Sequence, residues 1–219
     1  MKTALVIGAT GLVGSHLVDL LLPDNRFDKV KIFVRRSTGI THPKLAEHLI
    51  NFDQPDQWRS LVTGDVLFST LGTTIKKAGS QAAQYKIDYT YQYEFARAAA
   101  ENGVPVYVLV SSAGANARSS IFYSRMKGEL EEAVVKLAFS HIHIIKPGVL
   151  TGPRKENRTG EKIGIAVLSV LHKVPGLVKF KPIHAALVAR AMIHAAMDET
   201  QTLKTHTLQG VFDLAEKED

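Results

Sequence analysis

Ser112, Tyr123 and Lys127 are the residues whose types and spacing could do chemistry. Positions i and i+4 of a helix share a face, so Tyr123 and Lys127 are expected to stand side by side. A phenol with pKa near ~10 is a poor acid or base at neutral pH. A neighbouring ammonium stabilises the phenolate and lowers that pKa. A serine hydroxyl brought to the same place can hold a substrate oxygen. The three together suit proton transfer to or from an alcohol or carbonyl. Tyr-x-x-x-Lys alone is a weak signal. Its weight comes from order along the chain: a phosphate cradle first, a serine ending a strand, then tyrosine and lysine in the next helix.

The cradle is Gly8-Ala9-Thr10-Gly11-Leu12-Val13-Gly14, entered from the apolar run Ala4-Leu5-Val6-Ile7. Gly8 permits a sharp turn, Gly11 lets backbone approach a pyrophosphate, and Gly14 lets the next helix pack close to the strand. The anion then sits on the helix N-terminus, where free N–H groups and the helix dipole favour it. The spacing is Gly-x-x-Gly-x-x-Gly, and the strand before and amphipathic helix after give it meaning. The second strand ends in Arg35-Arg36, with no acidic residue until Glu47. Two guanidiniums there suit a ribose 2′-phosphate, hence NADP(H); the alternative is a solvated surface pair. Asp53 either accepts from an adenine amino group or caps a turn. Leu71-Gly72-Thr73-Thr74 offers small residues beside the cofactor, or a plain turn. Pro147-Gly148 makes a turn near the nicotinamide end, and Lys127 is also expected to hold the ribose.

These residues need elements to position them, and strands and helices alternate along the chain. Strands are predicted at Thr3–Ile7, Lys29–Val34, Glu47–Asn51, Asp65–Ser69, Val106–Val110, His141–Ile145 and Leu203–Leu208. Helices are predicted at Leu12–Leu22, Ala82–Asn102, Ser124–Ala138, Ile163–His172 and Pro182–Met197. The pattern argues a doubly wound parallel sheet, α/β and Rossmann-like, with ligands outside the carboxyl ends of the strands. One domain over 1–219 is expected, with 151–205 contributing a small C-terminal substrate lobe and an acidic tail, Glu216–Asp219, in solvent.

Composition narrows the classes. The chain has 219 residues, no cysteine and a net charge of +6. Disulfides, thiolate metal sites and a cysteine nucleophile are excluded. His141 and His143 share a strand face without a carboxylate partner, so no metal is expected. The positive charge is too dispersed to argue nucleic acid. No run approaches the ~20 apolar residues of a membrane span. The first apolar stretch is a strand, not a signal peptide, and with the missing cysteines a cytoplasmic location is expected.

With these motifs in place, the chain resembles the atypical or extended short-chain dehydrogenases/reductases over nearly its full length. Leu71-Gly72-Thr73-Thr74, Val110-Ser111-Ser112-Ala113-Gly114-Ala115, Tyr123-Ser124-Arg125-Met126-Lys127-Gly128-Glu129 and Pro147-Gly148-Val149-Leu150 are similar to the Tat-interacting-protein-like oxidoreductases and their bacterial relatives. The resemblance implies Ser112, Tyr123 and Lys127 at the catalytic positions. It implies Gly8, Thr10, Gly11, Leu12 and Val13 on the pyrophosphate, Arg35 and Arg36 on the 2′-phosphate, and Leu71, Gly72 and Thr73 along the cofactor. The chain departs from many relatives in having no asparagine at Tyr85–Thr90 and a lysine, Lys146, where arginine is frequent. The reading is an NADP(H)-dependent oxidoreductase for a small carbonyl or alcohol. The alternative is an NADP(H)-binding regulator acting through a protein partner, which a large exposed apolar patch over Ile163–Phe180 would favour. A homodimer is a further expectation.

Overall fold

The computed structural model describes residues 1–152 and 181–217. Its strands are β1 Lys2–Ile7, β2 Phe27–Val34, β3 Leu45–Leu49, β4 Val66–Ser69, β5 Val106–Val110, β6 His141–Lys146, β7 Leu150–Thr151, β8 Ile183–His184 and β9 Leu203–Thr207. The helices are α1 Leu12–Leu21, α2 Pro55–Trp58, α3 Ile75–Ala78, α4 Gln81–Tyr85, α5 Tyr91–Glu101, α6 Phe122–Val134, α7 Ala185–Ala196 and α8 Gln209–Ala215. Seven strands form one sheet in the order β3-β2-β1-β4-β5-β6-β9, every neighbouring pair parallel. Strands β7 and β8 form a separate parallel pair.

Both faces of the sheet are buried, which is why β1 and β5 are unbroken apolar runs. The pleat divides β1 between two cores. Ala4 and Val6 point into a layer with α1, α7 and α8, while Leu5 and Ile7 join Phe95, Leu130 and Val134 on the other side. The chain leaves β1 for β2 on one flank and later returns to β4 on the other. The carboxyl ends of β1 and β4 therefore border the crevice where open α/β sheets bind ligands.

Several boundaries differ from the sequence reading. The third strand lies two residues earlier, because Asn51 already belongs to a turn in which its Oδ1 accepts from Asp53 N at 3.0 Å. The expected helix Ala82–Asn102 is interrupted by a π-turn over Lys86–Thr90. The tail holds an unforeseen element, α8, whose Val211, Phe212, Leu214 and Ala215 are buried against α7. The expected helix Ile163–His172 and most of the C-terminal lobe lie outside the described residues.

Candidate functional site

Four strand ends supply the candidate site. After β1, Gly8 has φ +81°, and a Cβ there would lie 2.5 Å from Leu71 N. A Cβ on Gly14 would lie 2.1 Å from Gly8 O. Neither position tolerates a side chain, because β1, α1 and the end of β4 converge on that point. Thr70 Oγ1 fastens the junction by donating to Ile7 O at 2.8 Å. Gly11 differs: its φ is −79°, it is exposed, and a Cβ would meet Gly8 O at 3.1 Å and otherwise nearly open space. It N-caps α1 without a side-chain hydrogen bond. The first-turn N–H groups are therefore left without a side-chain cap at an exposed glycine, as an anion site requires. Thr10 is exposed, Leu12 half-buried, and Val13 buried in the core. The cradle fits a dinucleotide pyrophosphate.

After β2, Arg35 and Arg36 are exposed, with no ion pair among the described residues. Glu47, the nearest following acid in sequence, accepts instead from Thr38 N at 2.8 Å and Thr38 Oγ1 at 2.6 Å. Bonds from Ser37 and Thr38 hold its carboxyl below the usual range. Asp53 lies beyond β3, where Lys86 Nζ at 2.6 Å and Tyr91 OH at 2.7 Å both meet its Oδ1. Lys86, then Tyr91, keeps that carboxyl below its ordinary value.

The loop after β4 is held from below. Leu71 packs on the core, Gly72 is exposed, and Thr73 N donates to Asp88 Oδ1 at 2.7 Å. Gln84 Nε2 donates to Thr73 O at 3.2 Å. After β5, Ser111 Oγ donates to Glu131 in a very short contact. Lys146 Nζ reaches Glu131 Oε2 at 2.8 Å and Ala115 O at 3.3 Å. Ala113 N donates to the carbonyl of buried Pro147 at 3.1 Å, so the end of β6 grips the same loop. Ser112, half-buried in that loop, has a hydroxyl without a partner among the described residues.

Helix α6 brings Lys127 and Tyr123. Gly128 allows this helix to press on the loop, since a Cβ there would lie 2.1 Å from Ala117 N. Lys127 is 4% exposed, and its Nζ lies 3.5 Å from Val110 O, directly before Ser111. Tyr123 is 41% exposed and its hydroxyl has no protein partner among the described residues. Ser112 and the Lys127 ammonium thus both lie at the end of β5, while no hydrogen bond joins Ser112, Tyr123 and Lys127 to one another. The sequence reading missed Asp88, Ser111 and Glu131. A signal existed: Gln84, Asp88 and Gln92 recur at intervals of four, and Glu131 follows Lys127 by four. Each spacing places a polar group on an inward helix face.

The family model described as NAD(P)H-binding matches residues 8–199. The chain is 36% identical over 202 residues to "Protein FMP52-1, mitochondrial" of Scheffersomyces stipitis, covering 90% of this chain and 88% of the relative. It is 36% identical over 210 residues to "Protein FMP52, mitochondrial" of Candida glabrata, covering 91% and 87%. Among solved structures, a short-chain dehydrogenase/reductase superfamily protein from Agrobacterium tumefaciens with bound NAD aligns with a TM-score of 0.72 at 15% identity. That alignment covers 94% of this chain and 77% of the other. The Bordetella bronchiseptica enzyme WbmH in complex with NAD+ aligns at 0.70 and 17% identity, covering 97% and 80%. The solved structures bear out the Rossmann-like fold, and the family match bears out the NAD(P)H-binding family read from the sequence. The expected cytoplasmic location is corrected: the curated relatives are mitochondrial by name. Lack of cysteine does not distinguish one disulfide-poor compartment from another.

Proposed function

The chain belongs to the NAD(P)H-binding family, and from that premise we propose an NADP(H)-dependent oxidoreductase acting on a small carbonyl or alcohol. When bound, the nicotinamide dinucleotide supplies or accepts the hydride. Gly8, Thr10, Gly11, Leu12 and Val13 would hold its pyrophosphate. Arg35 and Arg36 would take the 2′-phosphate, Asp53 would receive the adenine, and Leu71, Gly72, Thr73 and Pro147 would line the remainder. Ser112 orients the substrate oxygen. Tyr123 moves the proton at its phenolic oxygen. Lys127 holds the ribose.

One observation supports this reading most. At the end of β5, a buried ammonium lies under a loop whose serine hydroxyl is unspent, on a helix whose tyrosine hydroxyl is open to solvent. Protein interiors rarely leave such groups together without a use. The test is Tyr123→Phe, which removes one oxygen and leaves the ring. NADPH binding is expected to persist while turnover on a carbonyl panel falls roughly 10²-fold, the scale of a lost general acid. Equal turnover in parent and variant would refute the mechanism. The regulatory alternative drew on Ile163–Phe180, which lies outside the described residues.

A further inference from the structure

Among the described residues, only two side chains of formal charge are buried, and they lie on elements packed against each other. Asp88 is 1% exposed and Lys127 is 4% exposed. Asp88 lies in the π-turn Lys86–Thr90, which packs against α6, the helix that carries Lys127. Its Oδ1 accepts from Thr73 N at 2.7 Å, and Gln84 Nε2 approaches Oδ2 at 3.4 Å. The π-turn itself is pinned, because Gln92 Nε2 donates to Asp88 O at 2.6 Å and Gln92 Oε1 accepts from Ser69 Oγ at 2.7 Å. A chain of polar contacts thus runs from the end of β4 through Gln92 and Asp88 to the loop at Thr73.

We propose that Asp88 is a positioning residue of the dinucleotide site: its carboxylate is the buried counter-charge of Lys127 and, through Thr73 N–H, holds the loop after β4 in fixed relation to that ammonium. The proposal rests on the function proposed above, in which Lys127 and Leu71–Thr73 both meet the cofactor. A buried carboxylate without a counter-charge is costly, and so is a buried ammonium. Two buried charges of opposite sign on adjoining elements answer each other. Burial pushes the Asp88 carboxyl up, and the Lys127 charge pulls it partly back. The charge acting on Asp88 from α6 is that of Lys127; from α4 it meets the neutral amide of Gln84 and from the loop the Thr73 N–H. The π-turn gives the arrangement its shape, since such bulges rotate a helix's side chains locally and recur at functional sites.

The experiment follows the Asp88 carboxyl carbon by NMR during a pH titration of the parent and of Lys127→Met. The expected result is a midpoint that rises by about one unit or more when the ammonium is removed, the scale of a close opposite charge. An unmoved midpoint overturns the proposal. Asp88→Asn decides the matter independently, also if Lys127→Met does not fold. The amide oxygen can still accept from Thr73 N–H, but the charge is gone. NADPH affinity should stay within about threefold while kcat falls about tenfold or more; Asp88→Ala, losing the loop bond too, should weaken NADPH binding as well. Parent-like kcat in a folded Asp88→Asn overturns the proposal. A parent that neither binds NADPH nor turns over sinks the proposed function instead, and the carboxyl titration still decides whether the two charges are paired.

Discussion

Arg35 and Arg36 and the three cradle glycines carry separable consequences. If the two guanidiniums meet a 2′-phosphate, NADPH binds more tightly than NADH, and the gap narrows as salt is raised. Changing both to alanine should remove most of that gap, by about tenfold or more if one charge-assisted contact of ~1.5 kcal/mol is lost. Calorimetry with equal NADH and NADPH affinities in the parent would defeat the assignment. The glycines divide by geometry. Gly11, with φ −79° and a single tight neighbour, Gly8 O at 3.1 Å, where a side chain would begin, should accept valine without unfolding and lose dinucleotide binding. Gly8, with φ +81° and backbone 2.5 Å from where a Cβ would stand, should lose folding stability even as alanine. Thermal melts and NADPH titration of both variants separate the roles; a Gly11→Val protein that binds normally would move the phosphate site elsewhere. The glycine spacing announced this much in advance, since a turn, an open approach and a close packing each demand a different glycine. It was silent on Asp53, where Lys86 and Tyr91 occupy one carboxylate oxygen, because those partners arrive from a distant helix.

At the level of elements, the site depends on how α6 and β6 hold the loop after β5. Glu131 receives Ser111 Oγ and Lys146 Nζ, with only 15% of its own side chain and 14% of Lys146 exposed. Glu131→Gln leaves the ammonium without its counter-charge and should cost about 2 kcal/mol in chemical denaturation, the scale of an unsatisfied buried polar group. It should also lower turnover more than NADPH affinity, because the loop it holds presents Ser112. Glu132→Gln, on the exposed neighbour, serves as the control and should stay within about 0.5 kcal/mol. Equal effects of the two substitutions would deny Glu131 this part. Parallel β-strands were legible because burial on both faces makes them continuous apolar runs, as Val106–Val110 is. The break in the long helix at Lys86–Thr90 was not, since helix periodicity tolerates one extra residue without a visible change in the apolar pattern. Helix α8 escaped notice because its four buried residues, Val211, Phe212, Leu214 and Ala215, make too short a stretch for periodicity to speak.

Across the whole molecule, the sheet is closed at one edge by β9, and the seam there holds two histidines. His143 is fully buried on β6 and His206 nearly so on β9, their rings 5.9 Å apart. His143 Nε2 lies 2.9 Å from Asp198 O, while His143 Nδ1 and His206 Nε2 have no partner among the described residues. Burial pushes both below the ordinary imidazole range, His206 to about 4, with the His143 and Lys204 charges adding to the effect. The folded state therefore keeps His206 neutral where the unfolded chain, titrating near ~6.5, already binds a proton. Between those values the unfolded state holds more protons, so stability falls as pH drops from about 6.5 to about 4 and levels off below. The loss is bounded at about 3 kcal/mol for this one group, at ~1.4 kcal/mol per unit. The carboxylates held low, such as Asp24 and Asp198, act in a lower window, beginning near ~4 where free aspartate titrates. His206→Phe keeps a ring against His143 and removes the titration. Its unfolding free energy should vary less steeply than the parent's between about pH 6.5 and about pH 4, with the two curves parallel above about pH 7. Denaturant unfolding across that range is the measurement, and slopes that coincide throughout would show that His206 takes up its proton as readily in the folded protein as in the unfolded chain.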